Sequence, residues 1–358
     1  MSTEMFIQNF FNALALGSLY GLIAIGYTMV YGILRLINFA HGDVFMLGAY
    51  FVFFSTISFM PAWIAVLLIL LAVFIYYSVF VGFKTRPKNY WIGVFLILVF
   101  GVIYYSKIDP QDFAPIWILA LCFSIFITSA IGVAVDQFAY KPLRDAPRIS
   151  ALIGAIGVSF FIENLATVLF SGVPKGVKQP DFFATPIQWH FGQGSNDIVR
   201  IVPMSLIVPA VSFILVILLL WVINKTKPGL AMRAISHDIE TTRLMGVSVN
   251  KIIAFTFAIG SALAAVAGIM WALRYPQIQP YMGVLPGLKA FIAAVIGGVG
   301  SIPGAMLGGF LLGFIEIMIV AFFPALSGYR DAFAFILLIL ILLAMPTGLM
   351  GKKSQEKI

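Results

Sequence analysis

Long apolar runs alternate with short polar connections along the whole chain. A helix that crosses a bilayer needs about 20 mostly apolar residues. Eleven stretches come near that length: 6–34, 42–59, 62–83, 90–105, 115–135, 150–170, 202–223, 252–273, 288–299, 304–323 and 332–345. The weakest are 90–105 and 288–299, short enough to be tilted, broken or re-entrant. Between 202–223 and 252–273 lies the polar-rich stretch 225–246, which still carries apolar residues at helical spacing. Pro228 and Gly229 stop one helix there, and residues 231–244 are predicted as one short helix. Such a helix lies on the membrane surface or docks a cytoplasmic partner. A solvated connector is the plainer alternative.

Composition turns this pattern into a class. Of 358 residues, 61% are hydrophobic and 10% charged, against about 25% charged in soluble domains. Mean hydropathy is +1.04. The fold class is therefore an all-α polytopic membrane protein of about ten or eleven transmembrane or re-entrant helices, read as a single domain over 1–358. The net charge of +8 would point a soluble protein toward nucleic acid; here it is the positive-inside bias. With the N-terminus outside and every run crossing, fifteen Lys and Arg fall inside and seven outside. That split favours N-out/C-in and puts the basic loop 225–251, with Lys225, Lys227, Arg233, Arg243 and Lys251, in the cytoplasm. The longest outer connection, 171–201, reads as a partly ordered cap. The lone Cys122 excludes an intrachain disulfide. Residues 1–9 lack Lys and Arg, and the first run is long enough to span, so no cleavable signal is read.

Ionisable groups inside apolar runs are costly and mark function. Candidates are His41, Asp43, Asp136, Glu163, Glu316 and Arg35. Asp136 sits at the inner end of its run, where it can reach water, and is read as structural. Asn38, His41 and Asp43 share a helix break; they either cap the next helix, with Asp43 or Asn38 accepting from its first amides, or line a path or gate. Glu163, with Asn164 beside it and Ser159 a turn earlier, must face protein or a water-filled cavity. Glu316 is placed in the same class. Residues 297–304 (Gly-Gly-Val-Gly-Ser-Ile-Pro-Gly) form a second break, and Gly308, Gly309 and Gly313 follow at the spacing of a close-packed helix face. Met46-Leu47-Gly48-Ala49 after the first break is similar to Met306-Leu307-Gly308-Gly309 after the second, as in an internally repeated transporter. No phosphate-binding loop, zinc motif or nucleophile elbow occurs, so the chain is not read as an enzyme. A proton relay and a voltage sensor find no support either.

The strings Gly26-Tyr27-Thr28-Met29-Val30-Tyr31-Gly32 and Ile37-Asn38-Phe39-Ala40-His41-Gly42-Asp43 strongly resemble the LivH-type permease subunits of branched-chain amino acid ABC importers. So do Lys289-Ala290-Phe291, the run from Ala294 to Ala305, and Met345-Pro346-Thr347-Gly348-Leu349. The resemblance covers most of the chain. It implies a cytoplasmic coupling helix with a Glu-Ala-Ala pattern and a later Gly. Here Glu240-Thr241-Thr242 and Gly246 keep the spacing, with threonines for alanines and without the later Ile-x-Leu-Pro. Arg233, Asp238, Glu240, Arg243 and Gly246 would then couple to the ATPase. Asn38, His41, Asp43, Glu163, Gly297, Gly298, Gly300 and Glu316 would line a path or gate. The implied partners are a second related permease, two cytoplasmic ATPase subunits that bind ATP and Mg, an external solute-binding protein and the lipid bilayer. This chain itself would hold no cofactor or metal and bind no nucleic acid. The implied location is the bacterial inner membrane, and the implied cargo is leucine, isoleucine or valine. Similar permeases serve urea or short amides. The chain departs from the family by about two extra hydrophobic segments within 62–105. The other readings, an ion-coupled carrier and a channel or scaffold, would need paired membrane carboxylates or no coupling loop.

Overall fold

The computed structural model describes residues 3–56, 62–81, 114–144, 146–177, 179–190 and 198–351. Its helices are α1 (Thr3–Leu34), α2 (His41–Thr56), α3 (Ala62–Tyr76), α4 (Ala114–Val135), α5 (Arg148–Phe170), α6 (Asp181–Ala184), α7 (Met204–Lys225), α8 (Lys227–His237), α9 (Ile239–Leu244), α10 (Val249–Arg274), α11 (Val284–Gly297), α12 (Ile302–Phe322) and α13 (Arg330–Ala344). A π turn, Tyr77–Val81, prolongs α3, and Asp136–Tyr140 does the same for α4. Two short antiparallel ribbons complete it: β1 (Lys175–Gly176) with β4 (Gln277–Ile278), and β2 (Ile187–His190) with β3 (Ile198–Ile201). Seven helical stretches among the described residues are long and apolar enough to cross a membrane. Ten of the eleven apolar runs coincide with helices; the run 90–105 lies outside the described residues.

Helix α1 is the axis of the bundle. It is buried almost continuously from Ala13 to Val30 and packs on α12, α10, α11 and α7. In lipid, helices associate through close packing rather than hydrophobic burial, so small residues mark the seams. Gly17 and Gly21 of α1 face Gly313 and Gly309 of α12. A Cβ at Gly309 would lie 2.4 Å from the Gly21 nitrogen, and one at Gly313 would lie 2.4 Å from that of Gly17. The packing reading of these glycines is thus what the backbone shows. Helices α5, α7 and α13 turn large apolar side chains outward, among them Phe160, Phe161, Ile217, Trp221 and Leu343.

Both helix breaks are real, and both are built from backbone. After α1, Arg35 takes a left-handed φ of 53°, and α2 restarts beside Gly26, well inside the bundle. There a Cβ on Gly26 would stand 2.1 Å from His41 Nε2. The start of α2 abuts the start of α11, with Gly42 against Gly283. At the second break, Gly298 (φ 104°) and Gly300 (φ 92°) join α11 to α12. The Ser301 hydroxyl caps α12 by accepting from the Gly304 N–H at 3.2 Å. The 345–349 string closes this break: the N–H groups of Leu349 and Met350 donate to the carbonyls of Ile296 and Gly297, both at 2.9 Å. Helix ends leave such carbonyls unpaired, which explains why two distant glycine-rich strings belong together.

The structure corrects four expectations. Residues 231–244 are not one helix, because Asp238 leaves helical geometry (φ −156°, ψ 115°) and caps a second one. Asp136 does not reach water; it is fully buried and paired with Arg144 at 2.5 Å. The run 288–299 is a 14-residue helix shifted toward its N-terminus, Val284–Gly297. The side chain of Asn38 does not cap α2 but accepts from the Tyr140 hydroxyl at 2.8 Å. Of the extra segments, α3 packs on the periphery: Tyr76 donates to Ser129 at 2.7 Å, and Ser129 to the Ala258 carbonyl at 2.8 Å. The second, read at 90–105, lies outside the described residues.

Candidate functional site

Polar groups gather in three places. The first lies between α7 and α10. Thr226 caps α8 by accepting from the Gly229 N–H at 3.2 Å. The Asp238 carboxylate caps α9, accepting from the N–H groups of Glu240 (2.9 Å) and Thr241 (3.1 Å). Met232 and Ile235 are buried and root α8 in the bundle. Arg233, Glu240 and Arg243 are exposed. Past α9 the chain presents Leu244 and Met245, 87% and 80% exposed, then turns at Gly246 with φ 81°. A β-carbon there would force the left-handed region that L-residues avoid. Arg144 pairs with Asp136 and donates to Asn250 at 2.7 Å, bracing the start of α10. The unit is a pair of short capped helices followed by an exposed apolar pair, Leu244 and Met245.

The second place is inside the bundle. Asp43 stands in the first turn of α2 and accepts from the Ser159 hydroxyl of α5 at 2.5 Å. The Glu163 carboxyl, one turn further along α5, is within hydrogen-bonding contact of Asp43. Both acids are buried. They line a cavity of about 160 Å³ together with Tyr27, Gly42, Gly283 and Gly287, and among the described residues no Lys or Arg lines it. Its flank is formed by Phe160, Val284 and Leu288, all exposed on the bundle surface.

The third place surrounds Glu316. Oε1 of this buried acid takes Lys289 Nζ at 2.8 Å, Arg330 Nε at 2.5 Å and the Tyr20 hydroxyl at 3.3 Å. Lys289 also meets Asp331 at 2.6 Å. A cavity of about 340 Å³ opens here, lined by Trp271 and Tyr275 at the end of α10. Helix α10 starts from the α8–α9 unit, so this cavity lies on the opposite face of the bundle.

The predicted path residues therefore separate. Asp43 joins Glu163. His41 packs its ring on Tyr27, with centroids 4.9 Å apart, and Asn38 meets Tyr140. Gly297, Gly298 and Gly300 form the backbone turn closed by the C-terminal string, and Glu316 stands in the ion cluster.

The comparisons with known proteins speak with one voice. The family described as "Branched-chain amino acid transport system / permease component" matches residues 9–342. The chain belongs to this permease family. It is 40% identical over 356 residues to the high-affinity branched-chain amino acid transport system permease protein BraD of Pseudomonas aeruginosa, covering 99% of this chain and 98% of that one. LivH of Escherichia coli strain K12, of the same description, is 37% identical over 353 residues with the same coverage. The ribose import permease protein RbsC of E. coli is 26% identical over 209 residues, 56% of this chain and 60% of that one. No solved structure matches.

The chain is thus an ABC-transport permease, a multi-pass protein of the inner membrane. Reading the sequence missed the partners that give its acids their character. Lys289 stands out only within the Lys289-Ala290-Phe291 string and in the count of outer charges, where Arg330 also falls, and Tyr20, Tyr140 and Asp331 carry no signal. Lys289 falls four residues after Leu285 inside an apolar run. A cation at that depth in a permease helix was the available hint of a buried pair.

Proposed function

We propose that this permease forms one half of the translocation path of an importer for branched-chain amino acids. A second related permease supplies the other half, two ATPase subunits dock on the cytoplasmic face, and an external binding protein delivers the cargo. The observation that carries this reading is the α8–α9 unit. Its apolar tip is exposed while its root is locked to α7 and α10, the geometry a lever needs to pass an ATPase movement to membrane helices. ATP and Mg are bound by the ATPase partners, and this chain contributes no catalytic group. The N-terminus is outside and the C-terminus inside, as the Lys and Arg distribution favours.

Asp43 and Glu163 support a path on this side of the bundle. Two acids at this depth cannot face hydrocarbon, so they face protein or water. The flank between α5 and α11 is therefore the side turned to the second permease. Unwound backbone at 35–40 lets α2 begin there, as backbone lining a cavity permits. A urea or short-amide cargo is the alternative, because RbsC shows that distant relatives are named for a different solute. Vesicles holding the complete complex, with ATP inside and binding protein outside, test both. ATP-dependent uptake of labelled leucine, suppressed by valine, is expected. Urea uptake alone would replace the cargo, and leucine uptake without the ATPase subunits would overturn the importer.

A further inference from the structure

We infer that the cavity around Glu316 is a receiving site for a free zwitterionic amino acid, on the face opposite the α8–α9 unit. The inference rests on the importer reading above and adds to it a binding site within this chain.

The argument begins with the uneven use of one carboxylate. Lys289 and Tyr20 donate to Glu316 Oε1 and Arg330 Nε forms a charge contact with it, while Oε2 and Arg330 Nε are both buried with no hydrogen-bond partner. The side chain is only 2% exposed, and it borders the 340 Å³ cavity. A buried carboxylate oxygen without a donor is costly, and it offers an acceptor to a ligand cation. An α-ammonium has three donors and the right charge. The two cations at the same wall, Lys289 and Arg330, are the complement for an α-carboxylate. Arg330 is 38% exposed at its side chain and can turn its planar fork to the incoming group. The remaining wall is apolar or aromatic, with Leu16, Trp271, Met282 and Leu285, a surface that takes an aliphatic side chain. A cavity of this size is at the small end of ligand sites and suits a single amino acid. Urea has neither charge, so it would leave both halves of the ionic wall unanswered.

The site explains how a released cargo stays with the permease once its carrier protein lets go. It also predicts recognition of the two charged groups ahead of the side chain.

The test uses the purified complete complex without binding protein, with labelled leucine as probe. Leucinol, which lacks the carboxylate, and 4-methylpentanoate, which lacks the ammonium, are the competitors. Leucine should bind, and each competitor should be weaker by about tenfold or more, the loss of roughly one charge-assisted contact. Glu316→Gln should lower leucine affinity by a similar factor, scored on complexes that retain their ATPase subunits. Leu285→Trp fills the apolar wall without touching the ion pairs and serves if the Gln variant does not assemble; it should also abolish binding. Equal competition by leucine and both analogues, or no leucine binding to the wild-type complex, would overturn the inference. If that happens while ATP-driven leucine uptake persists, only the receiving site fails. If uptake is absent too, the importer reading fails with it.

Discussion

Glu163 and Glu316 look alike in sequence, each a lone acid in a long apolar run, yet the fold gives them opposite surroundings. Glu316 sits under two cations and a hydroxyl, and its charge is balanced inside the protein. Glu163 meets a second acid, Asp43, which accepts from Ser159, and among the described residues no Lys or Arg lines that cavity. The first arrangement is an ion cluster in which one carboxylate oxygen has no hydrogen-bond partner. The second has no cation in its lining among the described residues, and its flank is exposed on the bundle surface. A buried carboxylate thus reports function through its partners, not through its depth.

The largest effect should separate the two directly. Glu316→Ala leaves Lys289 with Asp331 alone and removes the partner of the partly exposed Arg330, and should cost about 3 kcal/mol, the low end for breaking a buried pair, read as loss of stability of the purified complex in denaturant. Glu163→Ala removes no cation's partner and should cost about 1 kcal/mol. Equal losses would mean that the two sites do not differ as described.

Gly309→Leu tests whether the loss at Glu316 is electrostatic. It lies two turns earlier on α12 and forces side-chain atoms into the Gly21 backbone. Overpacking of this kind costs about 1–3 kcal/mol, and the loss should not respond to salt, unlike that at the partly exposed Arg330–Glu316 pair.

At the acid pair, Asp43→Asn should leave stability within about 1 kcal/mol, because the amide oxygen still accepts from Ser159. Leucine transport should nevertheless fall, by about tenfold or more, if the missing charge faces the path. Unchanged transport would remove Asp43 from it. Tyr140→Phe, which deletes only the 2.8 Å bond to Asn38, should cost about 0.5–1.5 kcal/mol and leave transport near wild type.

Much of the fold was legible because bilayer-length runs, glycine seams and helix-breaking strings are local signals. The two breaks, the packing glycines and the polar loop all stand where the residues put them. The site was legible only in part. Asp43 and Glu163 are both legible as candidates, but nothing in either stretch reveals that Asp43 meets Ser159 across 116 residues, with Glu163 one turn further on. Lys289 was counted as a loop charge because charge counting assigns cations to water, whereas the fold gives it a buried acid 27 residues on. The split of 231–244 follows from Asp238: mid-helix aspartate competes for nearby amides, so it caps instead of continuing. Asp136 illustrates the converse, an acid at a helix end that finds Arg144 rather than solvent.

The exposed tip at Leu244 carries the central claim, that α8 and α9 transmit an ATPase movement rather than float on lipid. A photo-reactive residue placed at Leu244 in the assembled complex, irradiated in membranes, decides this. A covalent adduct with the ATPase subunit is expected, and its yield should change with nucleotide. Adducts with lipid alone, in every nucleotide state, would contradict the account.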